Sequence, residues 1–505
     1  MFGGLMEINA VSQDITKQKV SAVVVNLFEG VSNPKGATGA VDKVLDGAIS
    51  KLILDGETTG KKGEITLIHT LDKIVPDRVV VVGLGKQSIF TCDVVRDVSA
   101  KVCRFLRSKG IQDMSTIAHG AGIGGMNPSE SAQAITEGAL LGLYRFSKYK
   151  TDNQAIDINQ LSIVESDQSK IGDLTKGISI GKILSDATNF CRSMANEPAN
   201  HMTPTKMSEL AQDVAKDGNL GIEVFDKDAI EKFQMGAFLG VALGSDQPPK
   251  LIVMKYMGDK DNLSNSVGFV GKGITFDTGG ISIKPSMNMS EMKTDMSGGA
   301  AVISAMKAIS QLKPKINVTA VVPATENMLG SSAQRPGDIV KTMSGKTIEI
   351  DNTDAEGRLI LADAIYYARS LGLERIVDVA TLTGAITISL GKVCTGVFGN
   401  DQFLIDQVLL AGNQSGEKMW HLPTFHEYGN QYKSDVADIK NTGGRAAGSI
   451  TGAKIIEEFT DGASWVHLDI AGTARSNSMD GYKVKGSTGV AVRTLVALAI
   501  NLSKI

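Results

Sequence analysis

Short apolar runs alternate with helix-like stretches along almost the whole of this chain. Residues 22–28 and 78–83 are continuous, Val-rich runs with the length of strands buried on both faces. Residues 93–108 and 129–143 read as helices. After residue 200 the alternation resumes. Strands are predicted at 250–256, 266–271, 317–323, 375–380 and 465–470, and helices at 296–312, 359–371 and 490–502. A chain that alternates in this way folds into largely parallel sheets covered by helices. At 505 residues it exceeds what one hydrophobic core organises. The expectation is an α/β protein of two domains, each a mainly parallel or mixed sheet flanked by helices. The polar stretch 147–168 is the predicted boundary. A helix over 175–195, broken by Asn196-Glu197-Pro198 and Thr203-Pro204, leads into the second half. The chain then divides into an N-terminal α/β domain (1–170), a linker helix (171–198) and a C-terminal domain (199–505) that carries the chemistry.

Composition narrows the partners. A net charge of −3 speaks against a nucleic acid or an anionic membrane as the primary partner. No run of about 18 apolar residues occurs, so no membrane span is expected. The N-terminus has no basic segment followed by an apolar stretch, so no signal peptide is expected either. Cys92, Cys103, Cys191 and Cys394 are scattered and form no C-x-x-C pair. That usage indicates neither a disulfide framework nor a cysteine zinc site, and it fits a reducing cytoplasm.

Two segments of the second half concentrate reactive groups. Asn352-Thr353-Asp354-Ala355-Glu356-Gly357-Arg358-Leu359 packs two carboxylates and a guanidinium between a β-like segment, 347–350, and a helical pattern. Such junctions often carry catalytic groups, because strand ends are rigid and their loops open onto a crevice. The other segment runs from Gly271-Lys272-Gly273 through Asp277-Thr278-Gly279-Gly280 to Lys284-Pro285, and then to Met292-Lys293-Thr294-Asp295. If Asp277, Asp295, Asp354 and Glu356 meet, they cannot all ionise unaided, since close like charges raise one another's pKa. Two divalent cations would remove that penalty, and oxygen ligands suit Mg, Mn or Zn. Cations roughly 3.5–4 Å apart can hold a bridging hydroxide and polarise a carbonyl. Lys272 and Lys284 add two amines. One could ligate a metal in its neutral form and the other could donate to a developing oxyanion. Arg358 could hold a small anion in its planar fork. The six histidines are dispersed and no H-E-x-x-H occurs, which speaks against a histidine-ligated zinc site.

Each of these residues has an ordinary explanation when taken alone. A carboxylate beside a helix caps it or complements its dipole, and a lone lysine is a surface charge. The dipole explanation needs neither the lysines nor the glycine spacing, so the combination favours a two-metal hydrolase site. A phosphoester hydrolase and a non-catalytic binding protein remain as other readings, although every metal and lysine position is filled by a competent residue. One rival motif exists: Gly120-Ala121-Gly122-Ile123-Gly124-Gly125 has the G-x-G-x-x-G spacing of a dinucleotide-binding turn. Met126-Asn127-Pro128 intervenes before the next helix and no acidic residue stands at 143–146, so it reads as a structural glycine loop.

Both reactive segments closely resemble those of the leucyl aminopeptidase family, the cytosol aminopeptidases. Residues 352–359 match its signature without a gap, and 271–285 match its metal and lysine loop, with Thr278 where serine is common. Asn196-Glu197-Pro198, Arg335-Pro336-Gly337-Asp338, Asp378-Val379-Ala380-Thr381-Leu382-Thr383-Gly384-Ala385 and His467-Leu468-Asp469-Ile470-Ala471-Gly472 extend the match from about 190 to the C-terminus. The N-terminal third resembles the family only in its α/β pattern. Glu326-Asn327-Met328-Leu329-Gly330 departs from it, since a proline usually follows the methionine.

The resemblance implies a metal-dependent aminopeptidase. It would release N-terminal amino acids, Leu and other apolar residues favoured, through a metal-bridging hydroxide, in intracellular peptide turnover. One metal would be held by Asp277, Asp354 and Glu356, the other by Lys272, Asp277, Asp295 and Glu356, and both would be Mn2+ or Zn2+. Lys284 would stabilise the tetrahedral gem-diolate. Arg358 would hold a bicarbonate ion acting as general base. Met292, Thr381 and Gly384 would floor the first side-chain pocket. A cytoplasmic homohexamer with peptides as its substrates completes the expectation.

Overall fold

The computed structural model describes residues 6–152 and 156–505. The chain forms two compact units, Met1–Asp186 with Ser478–Val484, and Ala187–Asn477 with Lys485–Ile505.

In the first unit the strands are β1 (Glu7–Ser12), β2 (Ala22–Phe28), β3 (Ile65–His69), β4 (Arg78–Gly85), β5 (Asp113–Ile117) and β6 (Gln160–Glu165). Among the described residues they form one sheet in the order β1-β6-β5-β2-β4-β3. Every neighbouring pair is parallel except β3 and β4. At its centre Val23, Val24 and Val25 of β2 lie in register with Val79, Val80 and Val81 of β4, and all six are buried. Val24 and Val80 share a core with Val95 and Val98 of the helix Cys92–Ser108 and with Ile135 of the helix Pro128–Leu143. Val23 and Val25 face the other way, onto Val41 and Ile49 of the helices Gly36–Val44 and Ala48–Leu54. Burial on both faces is why these runs show no polar alternation.

Strand β6 lies inside the polar stretch 147–168, the boundary expected from the sequence. Its Leu161 and Ile163 enter one core and Val164 the other. The flanking polar residues hide a strand whose existence depends on its partners β1 and β5. In the glycine loop after β5, Gly120 has φ +79°, and a Cβ there would lie 2.2 Å from the Phe90 ring. Asn127 then caps the next helix through the Ser129 N–H. The helix Ile171–Asn196 carries the chain from the first unit into the second.

The second unit contains β7 (Gly221–Phe225), β8 (Lys250–Met257), β9 (Ser266–Gly271), β10 (Gly273–Asp277) and β11 (Asn317–Asn327). After these come β12 (Ile339–Lys341), β13 (Thr347–Glu349), β14 (Arg375–Ala380), β15 (Thr395–Gly399), β16 (Met419–His421), β17 (Ile439–Lys440) and β18 (Ser464–Asp469). The main sheet runs β16-β15-β18-β14-β9-β11-β8-β7, with β10 beside β11, while β12, β13 and β17 form a small separate sheet. Its centre, β18-β14-β9-β11, is parallel; β15 and β8 join it antiparallel. The buried helices Ser297–Leu312 and Gly357–Ser370 flank it. Among the described residues no helix is long and apolar enough to cross a membrane.

Candidate functional site

The parallel strands deliver their C-terminal ends to one edge of the sheet, the usual position of a binding crevice. Lys272 is the single residue between β9 and β10, and Asp277 ends β10. The segment from Thr381 to Gly384 follows β14, and Ala471 onward follows β18. Asp295 closes the short helix Met289–Thr294. Asp354 and Glu356 arrive on the loop between β13 and the helix Gly357–Ser370. At Gly357 a Cβ would lie 2.9 Å from the Lys272 Nζ, so a side chain there would have to displace that ammonium.

The four carboxylates interlock with two lysines. Lys272 Nζ lies 2.7 Å from Asp295 Oδ2 and 2.6 Å from Glu356 Oε1, and donates to the Thr381 carbonyl at 3.1 Å. Lys284 Nζ lies 2.8 Å from Asp277 Oδ2 and 2.5 Å from Asp354 Oδ1. Asp277, Asp354 and Glu356 each offer an oxygen, all within 4.8 Å of one another. Thr381 Oγ1 donates to Asp295 Oδ1 at 2.7 Å.

These residues surround a cavity of about 290 Å³ that Met292 and Gly384 also line. Arg358 is the one predicted site residue that does not reach its wall. It is buried; one terminal nitrogen donates to the Asn441 carbonyl at 2.9 Å, and its Nε is buried without a hydrogen-bond partner.

Burial dominates the electrostatics. It raises the pKa of Asp277, aided by Glu356, and raises those of Asp295 and Asp354 although the lysines pull the other way. Burial also works against the charge of Lys272, but Asp295, Glu356 and Asp277 outweigh it and hold the ammonium above its ordinary range. Lys284 behaves alike, with Asp277, Glu356 and Asp354 outweighing its burial. The buried Oδ2 of Asp295 and Oδ1 of Asp354 accept no hydrogen bond of good geometry and meet only a lysine ammonium. Hard oxygen donors, converging and raised in pKa, are a set that divalent cations fit.

Three positioning residues escaped the sequence reading. Asn327 ends β11 and donates to Asp277 Oδ1 at 2.8 Å, an oxygen that also accepts the Gly279 N–H. Asn441 accepts the N–H groups of Asp351 and Asn352 and donates to the Asn352 carbonyl, which pins the carboxylate loop. Asp469, fully buried, accepts from Thr383 Oγ1 at 2.6 Å and from the N–H groups of Leu382 and Ala471. Asn327 and Asp469 stand inside motifs the sequence analysis quoted, but neither carries a local signal of its partners. Asn441 stands outside them.

The chain as a whole has relatives among known proteins. Residues 189–496 match the Cytosol aminopeptidase family, catalytic domain, and residues 24–153 match the same family's N-terminal domain. The likeness therefore extends into the N-terminal third, where the sequence alone offered only an α/β pattern. The chain is 43% identical over 501 residues to a probable cytosol aminopeptidase of Alkaliphilus oremlandii (strain OhILAs), covering 99% of this chain and 100% of that one. It is 45% identical over 496 residues to a probable cytosol aminopeptidase of Solibacter usitatus (strain Ellin6076), covering 98% and 99%. Among solved structures it is similar to a mutant of tomato leucine aminopeptidase, with TM-score 0.89, 30% identity, and 99% and 97% of the two chains covered. It is similar also to the bottromycin maturation enzyme BotP in complex with Mn, with TM-score 0.84, 30% identity, and 96% and 100% covered.

Proposed function

This chain belongs to the cytosol aminopeptidase family and is a metal-dependent aminopeptidase, and from that premise we propose that it releases N-terminal residues, Leu and other apolar ones favoured, in cytoplasmic peptide turnover. The observation that carries the reading is the cavity in which four carboxylates and two lysines converge.

Asp277, Asp354 and Glu356 would hold one ion, and Lys272, Asp277, Asp295 and Glu356 the other. Two Mn2+ or Zn2+ ions would supply Lewis acidity for the peptide carbonyl and a lowered pKa for water; a similar solved structure contains Mn. Both lysines line the cavity, but the side chain of Lys272 is only 3% exposed, enclosed by its partners, while that of Lys284 is 21% exposed. Lys284 is therefore the lysine we assign to the carbonyl oxygen, donating to it as negative charge develops. The unpartnered Nε of Arg358 supports a bicarbonate site there, where the anion would supply a proton acceptor. Met292, Thr381 and Gly384 would form the floor of the first side-chain pocket. The assembly we expect is a homohexamer, checked by light scattering, where a stable active monomer would contradict it.

The test of the activity compares Leu-anilide with N-acetyl-Leu-anilide and a simple phosphoester. Hydrolysis of the first alone is expected, because a free α-amine is required in this reading. Equal rates on the free and blocked anilides, or turnover of the phosphoester instead, would overturn it.

A further inference from the structure

Charged side chains on the cavity wall are nearly all matched. Lys272 and Lys284 meet the four carboxylates, and Arg475 pairs with Glu291. Lys392 lines the same cavity, yet among the described residues its side chain makes no ion pair and no hydrogen bond. It follows the helix Gly384–Leu390, whose Gly384 and Thr387, one turn apart, line the cavity as well. Gly391, with φ +63°, turns the chain there, and its carbonyl oxygen sits 2.3 Å from where a Gly472 Cβ would be. That packing fixes the backbone of Lys392 beside the segment after β18, whose Gly472 and Ala474 are further wall residues. Gly384, Ala471, Gly472 and Ala474 put little side chain on this wall, which they share with Arg475 and Asn477, and a Cβ added at Gly384 would meet nothing within 4 Å. Lys392 itself is exposed, and its ammonium stands on this wall without a partner among the described residues.

A side-chain carboxylate that leaves water for a pocket wall needs a cation or donors to receive it. We propose that Lys392 receives the side-chain carboxylate of the substrate's first residue, so that the protein accepts N-terminal Glu and Asp in addition to apolar residues. This rests on the aminopeptidase reading and on Gly384 belonging to the first side-chain pocket. The C-terminal carboxylate of a dipeptide has the same chemistry, so the experiment separates the two sources.

The metal-loaded full-length protein and its Lys392→Gln and Lys392→Glu variants are assayed on Leu-anilide, Glu-anilide, Leu-Gly and Leu-Gly-amide. The wild type should cleave Glu-anilide. Its Glu-to-Leu ratio of kcat/KM should fall about two- to fivefold in Lys392→Gln, the worth of one exposed charge pair, and further in Lys392→Glu. The Leu-Gly to Leu-Gly-amide ratio should stay the same in all three proteins. No cleavage of Glu-anilide by the wild type, an unchanged Glu-to-Leu ratio in both variants, or a fall confined to the dipeptide ratio overturns the proposal. Failure of the wild type on Leu-anilide would instead overturn the aminopeptidase reading itself.

Discussion

Asn327 donates its side-chain amide to Asp277 Oδ1 at 2.8 Å and, from the same nitrogen, to the Thr353 carbonyl at 3.1 Å. One carboxamide at the end of β11 therefore orients a carboxylate from β10 and tethers the loop that brings Asp354. Partners of this kind set the direction in which a ligand oxygen points. Asn327→Ala should weaken metal binding about 10–100-fold while retaining secondary structure. Metal titration followed by calorimetry checks this, and an affinity equal to wild type would remove Asn327 from the site's support.

Chelation should abolish peptidase activity, and added Mn or Zn should restore it. Asp354→Ala should lose one metal equivalent per chain and keep its circular dichroism, because Asn441 holds the surrounding loop through backbone groups that the substitution leaves in place. Elemental analysis of the purified variant gives the stoichiometry. Two retained equivalents would exclude Asp354 as a ligand.

Lys272 and Lys284 should fail in different ways. Lys284→Ala should keep both metals and lose about 10²–10³ in kcat, since a donor to a developing oxyanion acts in the transition state. Lys272→Ala should lower metal content first, because its amine is enclosed by Asp295 and Glu356. Metal analysis and kinetics on both variants side by side decide the matter. A metal-replete Lys284→Ala protein with near-normal kcat would take Lys284 out of the chemistry.

His119 makes the N-terminal unit sensitive to acid. Burial pushes its pKa down to about 4. Asn26 donates to its Nδ1 at 3.0 Å, so protonation there would set donor against donor. Because the folded pKa is depressed, this stabilisation is full above about pH 6.5 and is lost as pH falls toward 4, amounting to roughly 3 kcal/mol. His119→Gln should flatten the fall of Tm between pH 7 and 4. Parallel Tm profiles for variant and wild type would contradict it.

Much of this was written locally. The strands at 22–28, 266–271 and 375–380 coincide with the structure because continuous apolar runs report burial on both faces, whatever their neighbours. The helix predicted from Leu359 begins two residues earlier, at Gly357, since the carboxylate loop already turns there. Strand β10 carries no strand signal of its own, because its five residues include polar and glycine positions whose burial β11 provides.

By itself the sequence determined the α/β class, the two-domain plan and the inventory of reactive groups, because residue type and short spacing are local properties. Only the tertiary structure decided how those groups meet. Strand order brings Asp277 next to Asn327 and Lys272 next to Glu356, pairs separated by 50 and 84 positions in the chain. It also decided that Arg358 is buried with a terminal nitrogen on the Asn441 carbonyl, while Lys392 lines the cavity without a partner among the described residues. Periodicity reports which face of an element is buried; it carries no information on which distant element buries it.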